Sequence, residues 1–359
     1  MTSTYVIAEA GVNHNGDASK AFELVDAAAE AGANAIKFQT FKAKNLVTEQ
    51  ADMAEYQVTN VGHSESQLAM LSKLELPFET FSQLAEHARS RSLDFISTAF
   101  DDESLKFVHG ELSVPALKIA SGELLNAPLL LKHARTELPL IVSTGMATLG
   151  DIEQALALIA FGWTQGKLET PNSQRLRQAL ASDSGQMLLH EKVTLLHCTT
   201  EYPTPLEDVN LRAIDSMRAA FNVPVGYSDH TQGIAVAIAA VARGASMIEK
   251  HFTLDRQLPG PDHAASLEPT ALADMVASIR SVEQALGSSL KGPCQSELKI
   301  MTAARKSLVA AKPIAAGEVF AEENMATMRP GNGRSPMDYW QLLGTKARRS
   351  YKVGELILD

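Results

Sequence analysis

Two short apolar runs carry residues whose types and spacing suit chemistry. VPVGYSDH (223–230) ends in His230, and SMIEKHF (246–252) carries Glu249 and His251. Side chains two apart on a strand share a face, so Glu249 and His251 point together while Lys250 turns away. A pair of imidazoles beside a carboxylate is a donor set for a borderline divalent ion such as manganese or zinc. Two hydrogen-bonded histidines in an apolar core would show the same spacing, which leaves both readings open. Further on, Gly260 and Pro261 turn the chain and set Asp262 and His263 on a loop, GPDHAASLEP.

The elements that must position these groups are repeated βα units. Runs rich in β-formers (YVIAEAG, NAIKFQT, LDFISTA, ALKIASG, PLIVSTG, VTLLHCT, VPVGYSD and SMIEKHF) alternate with alanine-rich helical patterns. One such helix, ASKAFELVDAAAEAG, is stopped by Gly32. Eight runs predict a closed (β/α)8 TIM barrel, an α/β fold, over residues 1–284. Polar residues gather at the run ends: Glu9; Lys37 and Gln39; Ser97 and Thr98; Lys118 and Ser121; Ser143 and Thr144; His197; Ser228 and His230; Glu249 and His251. In a barrel the C-terminal strand ends form one floor, so these distant residues would converge. Capping of the following helices explains a serine or threonine or two, but not recurrent lysines, histidines and carboxylates.

Two segments exceed a minimal unit. Residues 41–81 predict an ordered loop able to cover the barrel mouth, and 161–192 a surface insertion of weak periodicity. A linker over 285–302 leads to a small β-rich domain, 303–359, in which KPIAAGE and YKVGELI resemble each other as strand-turn pieces. Its RPGNG turn carries Arg329, which taken alone is a solvated surface charge.

Composition narrows the class. With 359 residues, 45% apolar and 21% charged, the chain can bury a substantial core. Cys198 and Cys294 match no disulfide or metal spacing and fit a reducing, cytoplasmic setting; no signal segment or membrane-spanning run is legible. A net charge of −10 argues against a nucleic-acid surface but not against an anionic substrate, which a few local donors can hold. Cys198 reads as structural, Trp163 and Trp340 as packing residues, and His14 and His263 as loop residues near substrate.

The chain resembles the bacterial N-acetylneuraminate (sialic acid) synthase family over nearly its whole length. AEAGVNHNGD, IKFQTFKAKNL, FISTAFD, KIASGELLN, STGMATLGDIE, LLHCTTEYPTP, GYSDHTQG, IEKHFTLD, GPDHAASLEP, RPGNG and SPMDYW carry the likeness. The resemblance implies a barrel joined to a C-terminal antifreeze-like (SAF) domain in a domain-swapped homodimer. It implies condensation of phosphoenolpyruvate with N-acetylmannosamine and water, or with a diacetamido analogue leading to legionaminic acid. It further implies a divalent metal on His230 and His251, manganese first, with Mg2+ or Co2+ as alternatives. By the same likeness Lys37, Thr98, Ser121, Ser143 and Ser228 surround phosphoenolpyruvate and Lys118 meets its carboxylate. Glu9 and Glu123 stand at the reacting centre, Tyr202 and Asp262 position the acceptor, and Arg329 reaches it from a neighbouring subunit. Where some members have asparagine, this chain has Thr200 followed by Glu201.

These residue types suit that chemistry. Lysines act as point charges and hydroxyls as directional donors to a phosphate and a carboxylate. A carboxylate beside the former enol carbon could stabilise positive charge there and take a proton from water, a role open to Glu9 or Glu123. A Schiff-base aldolase using a strand-end lysine is the rival chemistry, and it would leave the two histidines unused.

Overall fold

The structure is a computed structural model describing residues 3–358, which divide into two compact units, one running to Gly287 and the other starting at Ser288. In the first, β1 (Tyr5–Gly11), β2 (Ala35–Thr40), β3 (Asp94–Ala99), β4 (Leu117–Ile119), β5 (Leu140–Ser143), β6 (Val193–His197), β7 (Val225–Asp229) and β8 (Met247–His251) close a parallel barrel in chain order. All eight expected runs are strands. The helix Ala18–Glu30 starts where Asp17 accepts from Ser19 N and ends just before Gly32, whose positive φ of 78° suits glycine.

Side-chain alternation builds the barrel interior in layers. Ile7, Ala35, Ile96, Ala116, Ile141 and Leu196 form one apolar layer, flanked by Tyr5 and Met247. Burying each large aliphatic there contributes about 1.5–3 kcal/mol. On β7 the equivalent place is Gly226, because a Cβ would meet the Met247 carbonyl oxygen at 2.5 Å. Two residues further along, every strand presents a more polar side chain: Glu9, Lys37, Thr98, Lys118, Ser143, Cys198, Ser228 and Glu249. The period of two thus turns an apolar floor into a ring of reactive groups.

The outward faces pack on the helices and bury a few polar groups among the apolar ones, Lys250 among them. Lys250, fully buried, pairs with Asp229 Oδ2 at 2.9 Å and donates to the Thr231 carbonyl at 2.5 Å. This pair pins β8 to β7 at the register that sets Glu249 opposite Ser228.

Both extra segments are helical where irregular chain was expected. Between β2 and β3 lie the helices Ala43–Leu46, Glu55–Val61 and Gln67–Leu74, which surround a satellite core of Val12, Phe41, Met53, Met70 and Leu74. Between β5 and β6, the helix Leu149–Thr164 is followed by Ser173–Ala181, capped by Asn172, and Asp183–Lys192, capped by Ser182. Trp163 packs against the main core, whereas Trp340 is 74% exposed with its ring 5.7 Å from that of Tyr339, so it is a surface residue rather than the packing residue expected.

The second unit holds the helix Gln295–Ala304 and an antiparallel pair, β9 (Ser307–Ala310) with β10 (Met325–Met328). Its core is Leu308, Ala310, Ile314, Phe320, Met325, Leu342, Ala347, Tyr351 and Ile357. The two resembling pieces meet through a single bridge, Ile314 with Tyr351.

Candidate active site

A cavity of about 180 Å³ opens at the C-terminal ends of the strands, and its lining draws on all eight βα units. Glu9, Lys37, Thr98, Lys118, Ser121, Ser143, Tyr202, Ser228, His230 and His251 all face it. Larger hollows lie elsewhere on the barrel unit, but they lack this convergence of buried lysine, carboxylate and imidazole.

The deepest part is a charge lattice. Lys37 Nζ lies 2.7 Å from Glu9 Oε2, 3.7 Å from Glu249 Oε2 and 3.4 Å from Thr98 Oγ1. Lys118 Nζ donates to Ser143 Oγ at 2.7 Å and lies 3.7 Å from Glu249 Oε1, which also accepts from Ser228 Oγ at 2.9 Å. Burial alone would raise the Glu249 pKa, but Lys118, Lys37 and the Ser228 hydroxyl outweigh it and hold the carboxyl at about 2. For Glu9 burial wins: with the Glu249 charge adding to it, the pKa rises to about 7 despite Lys37. Burial opposes the Lys37 charge, yet Glu249 and Glu9 raise its pKa and keep it an ammonium; at Lys118 burial prevails and lowers it. One carboxylate is therefore fixed as an anion and the other is poised to exchange a proton near neutrality.

Two imidazoles line the same cavity, with ring centroids 5.6 Å apart. His230 Nδ1 donates to the Thr199 carbonyl at 2.6 Å, leaving Nε2 3.2 Å from Ser228 Oγ with its lone pair available. Burial lowers its pKa to about 4 and holds that of His251 well below the usual imidazole range, so both rings are neutral at pH 7. His251 Nδ1 is buried without a hydrogen-bond partner and lies 4.0 Å from Asp262 Oδ2. Neutral imidazoles with free nitrogens fit a divalent ion. Among the described residues no group of three or more His, Cys, Asp or Glu is arranged to hold a metal, so two protein ligands would leave the other positions to water and substrate. Charge balance favours the fit as well. Lys37 and Lys118 face Glu9 and Glu249, which leaves the lattice little surplus positive charge to offer an anion.

Tyr202 covers the imidazoles, 4.1 Å from the His230 ring and 5.6 Å from that of His251. Asp262 is buried beside it, its pKa raised by that burial to about 6. Ser121 Oγ accepts from Gly145 N at 3.0 Å and lies 3.3 Å from Cys198 Sγ. At Gly145 only glycine fits, since a Cβ would meet Thr200 Oγ1 at 2.2 Å and Ser121 Oγ at 2.8 Å. Thr200 lines the cavity with its hydroxyl buried and unpartnered.

Three of the expected residues, Glu123, His14 and His263, lie outside the cavity lining. Glu123 does not line the cavity: a 3-10 turn, Ser121–Glu123, carries it to the rim, where its carboxylate accepts from Asn126 Nδ2 at 2.6 Å. His14 and His263 do not line it either. His263 bonds Thr253 Oγ1 at 2.7 Å and Asn15 Oδ1 at 3.1 Å, while His14 Nδ1 accepts from Gly16 N at 3.0 Å. With Asn13 Nδ2 donating to Ser266 Oγ at 2.9 Å, they clasp the loop that carries Asp262. Arg329 is exposed in the second unit, its Nε donating to the Ala304 carbonyl at 3.0 Å. Glu249 and Gln39 were legible as strand-end residues, but not Glu249's place between two lysines.

Comparison with known proteins agrees with this geometry. Residues 24–291 match the NeuB family and residues 305–359 the SAF domain. The chain is 45% identical over 359 residues to the N,N'-diacetyllegionaminic acid synthase of Campylobacter jejuni, covering 100% of both chains. It is 42% identical to the Legionella pneumophila enzyme of the same name, over 99% of this chain and 93% of that one. A crystal structure of N-acetylneuraminic acid (sialic acid) synthetase from Leptospira borgpetersenii, in complex with citrate, superposes with a TM-score of 0.67 at 32% identity, covering 83% of this chain and 90% of the other. On the strength of the family match and these full-length likenesses, the chain belongs to the NeuB family and ends in a SAF domain.

Proposed function

We propose that this enzyme condenses phosphoenolpyruvate with a 2,4-diacetamido-2,4,6-trideoxymannose and water, giving N,N'-diacetyllegionaminic acid and phosphate. The observation that carries the chemistry is the single cavity in which Lys37, Lys118, Glu9, His230 and His251 converge. The choice of acceptor reverses the first expectation, N-acetylmannosamine, because the relatives matching at 45% and 42% carry the legionaminic name.

In this reading Lys37, Lys118, Thr98, Ser121, Ser143 and Ser228 grip the phosphate and carboxylate of phosphoenolpyruvate by charge-assisted bonds. Its methylene carbon attacks the open-chain aldehyde carbon, forming the new bond as the carbonyl π bond opens, and the aldehyde oxygen becomes a hydroxyl by taking up one proton, balanced by the one that water gives up. Water adds to the former enol carbon, giving up a proton, and phosphate then leaves with cleavage of its bond to that carbon. Glu9, poised near neutrality, receives the proton from water; its neighbour Lys37 keeps it oriented. Tyr202 and Asp262 hold the acceptor over the imidazoles. A divalent ion on His230 and His251, Mn2+ with Mg2+ or Co2+ as alternatives, supplies Lewis-acid polarisation of an aldehyde oxygen when bound. We place Arg329 of a second copy at the acceptor, in a domain-swapped homodimer.

Phosphate release from phosphoenolpyruvate, measured with each acceptor, tests the reading. Release should be faster with the diacetamido sugar. Equal or faster release with N-acetylmannosamine returns the acceptor to the sialic acid precursor, and release with neither rejects the synthase reading.

A further inference from the structure

Beside the lysine-lined cavity lies a second lobe of about 120 Å³, which shares Gln39, Tyr202 and His251 with it. One wall is apolar, made by Val12, Met70, Leu71 and Leu74; Tyr56, Gln57 and Asp262 supply polar groups. Tyr56, Gln57, Met70, Leu71 and Leu74 of this lining come from the helices inserted between β2 and β3.

The lobe is held in shape from three directions. The Tyr56 ring lies 5.2 Å from that of Tyr202, and Asn60 Nδ2 donates to the Pro261 carbonyl at 2.6 Å, joining the insertion to the Asp262 loop. Gln57 Oε1 accepts from Ala54 N at 2.9 Å, which fixes its side chain next to Tyr56 in the same lining. Burial and the Asp262 charge keep the Tyr56 phenol protonated and able to donate.

A planar amide ending in a methyl group matches these walls. Its N–H would meet the Asp262 carboxylate, its carbonyl the Tyr56 hydroxyl, and its methyl the Met70 and Leu74 side chains. We infer that this lobe seats the second acetamido group of the acceptor, so that Tyr56 and the Met70–Leu71–Leu74 wall determine specificity. The inference rests on the diacetamido reading above, and goes beyond it by naming the residues that tell the two acceptors apart.

The test compares kcat/KM for both acceptors in wild type, Leu71→Trp, which fills the lobe, and Tyr56→Phe, which removes one donor. Both variants should lose at least about tenfold with the diacetamido sugar while N-acetylmannosamine changes by less than about twofold. Phosphoenolpyruvate affinity by calorimetry should be unchanged and reports folding; if Leu71→Trp fails to fold, Tyr56→Phe carries the test. An equal fall with both acceptors, or no fall, overturns the lobe assignment and leaves the acceptor reading standing. A wild type that prefers N-acetylmannosamine overturns both.

Discussion

Replacing Glu9 by Gln keeps the shape of the side chain and removes its ability to take a proton. Glu9 is 1% exposed, and its carboxylate lies 2.7 Å from Lys37 Nζ, so water reaching the reacting carbon has no equivalent base at that position. Loss of a positioned general base lowers turnover by about 10²–10⁴, or roughly 3–5.5 kcal/mol of barrier. The same change removes a negative charge facing an anionic substrate, and Lys37 keeps Glu249 at 3.7 Å as a counter-charge. Phosphoenolpyruvate should therefore bind as tightly as to wild type or somewhat more tightly. Single-turnover phosphate release gives the first number and calorimetric titration the second. Turnover within about threefold of wild type would remove Glu9 from the mechanism. A large loss of phosphoenolpyruvate affinity would make it instead a structural partner of Lys37.

Three further outcomes follow from the geometry. Lys250→Met strands Asp229 in an apolar wall and should cost about 3–5 kcal/mol by urea denaturation, partly restored by adding Asp229→Asn; a cost under about 1 kcal/mol would refute the pin between β7 and β8. Acidification should destabilise the fold between pH 6.5 and about 4. His14 and His230, both pushed by burial to about 4, are neutral when folded but bind protons when unfolded, withholding roughly 3 kcal/mol each as the pH falls through that window. Glu9 and Asp262, raised by burial to about 7 and about 6, act in the opposite sense by a similar amount, which leaves His133, His197, His251 and His263, also held low by burial, to decide the sign. A melting temperature that is flat or rising from pH 7 to pH 5 would contradict this. Finally, ending the chain near Ala303 should abolish dimerisation in sedimentation and weaken the acceptor more than phosphoenolpyruvate; a fully active monomeric barrel would remove Arg329 from the site.

The barrel was legible because its strands carry period-two patterns bounded by turn residues, and that period also places reactive groups two positions beyond apolar ones. Ile7 to Glu9 and Ile141 to Ser143 are instances. The short helices Glu55–Val61 and Ser173–Ala181 were not legible, since segments of that length draw their stability from packing and caps rather than from a long repeat. Glu123 entered through family likeness rather than strand spacing, and a 3-10 turn, Ser121–Glu123, carries it past the cavity-lining Ser121 and Gly122. The anchoring of two lysines by Glu249 needs the register of three strands, which one strand's sequence does not contain. His14 and His263 look like substrate contacts in sequence, but their ring nitrogens are spent or buried within the loop clasp.

If the proposed function holds, the imidazoles at the ends of β7 and β8 and the lysine-lined floor bind a divalent ion and phosphoenolpyruvate as one site. Electron paramagnetic resonance titration of Mn2+ tests it most directly. Wild type should bind one ion per chain, His251→Ala should lose it, and the bound-ion signal should change when phosphoenolpyruvate is added. Unaltered Mn2+ affinity in His251→Ala, or a signal indifferent to phosphoenolpyruvate, would contradict it.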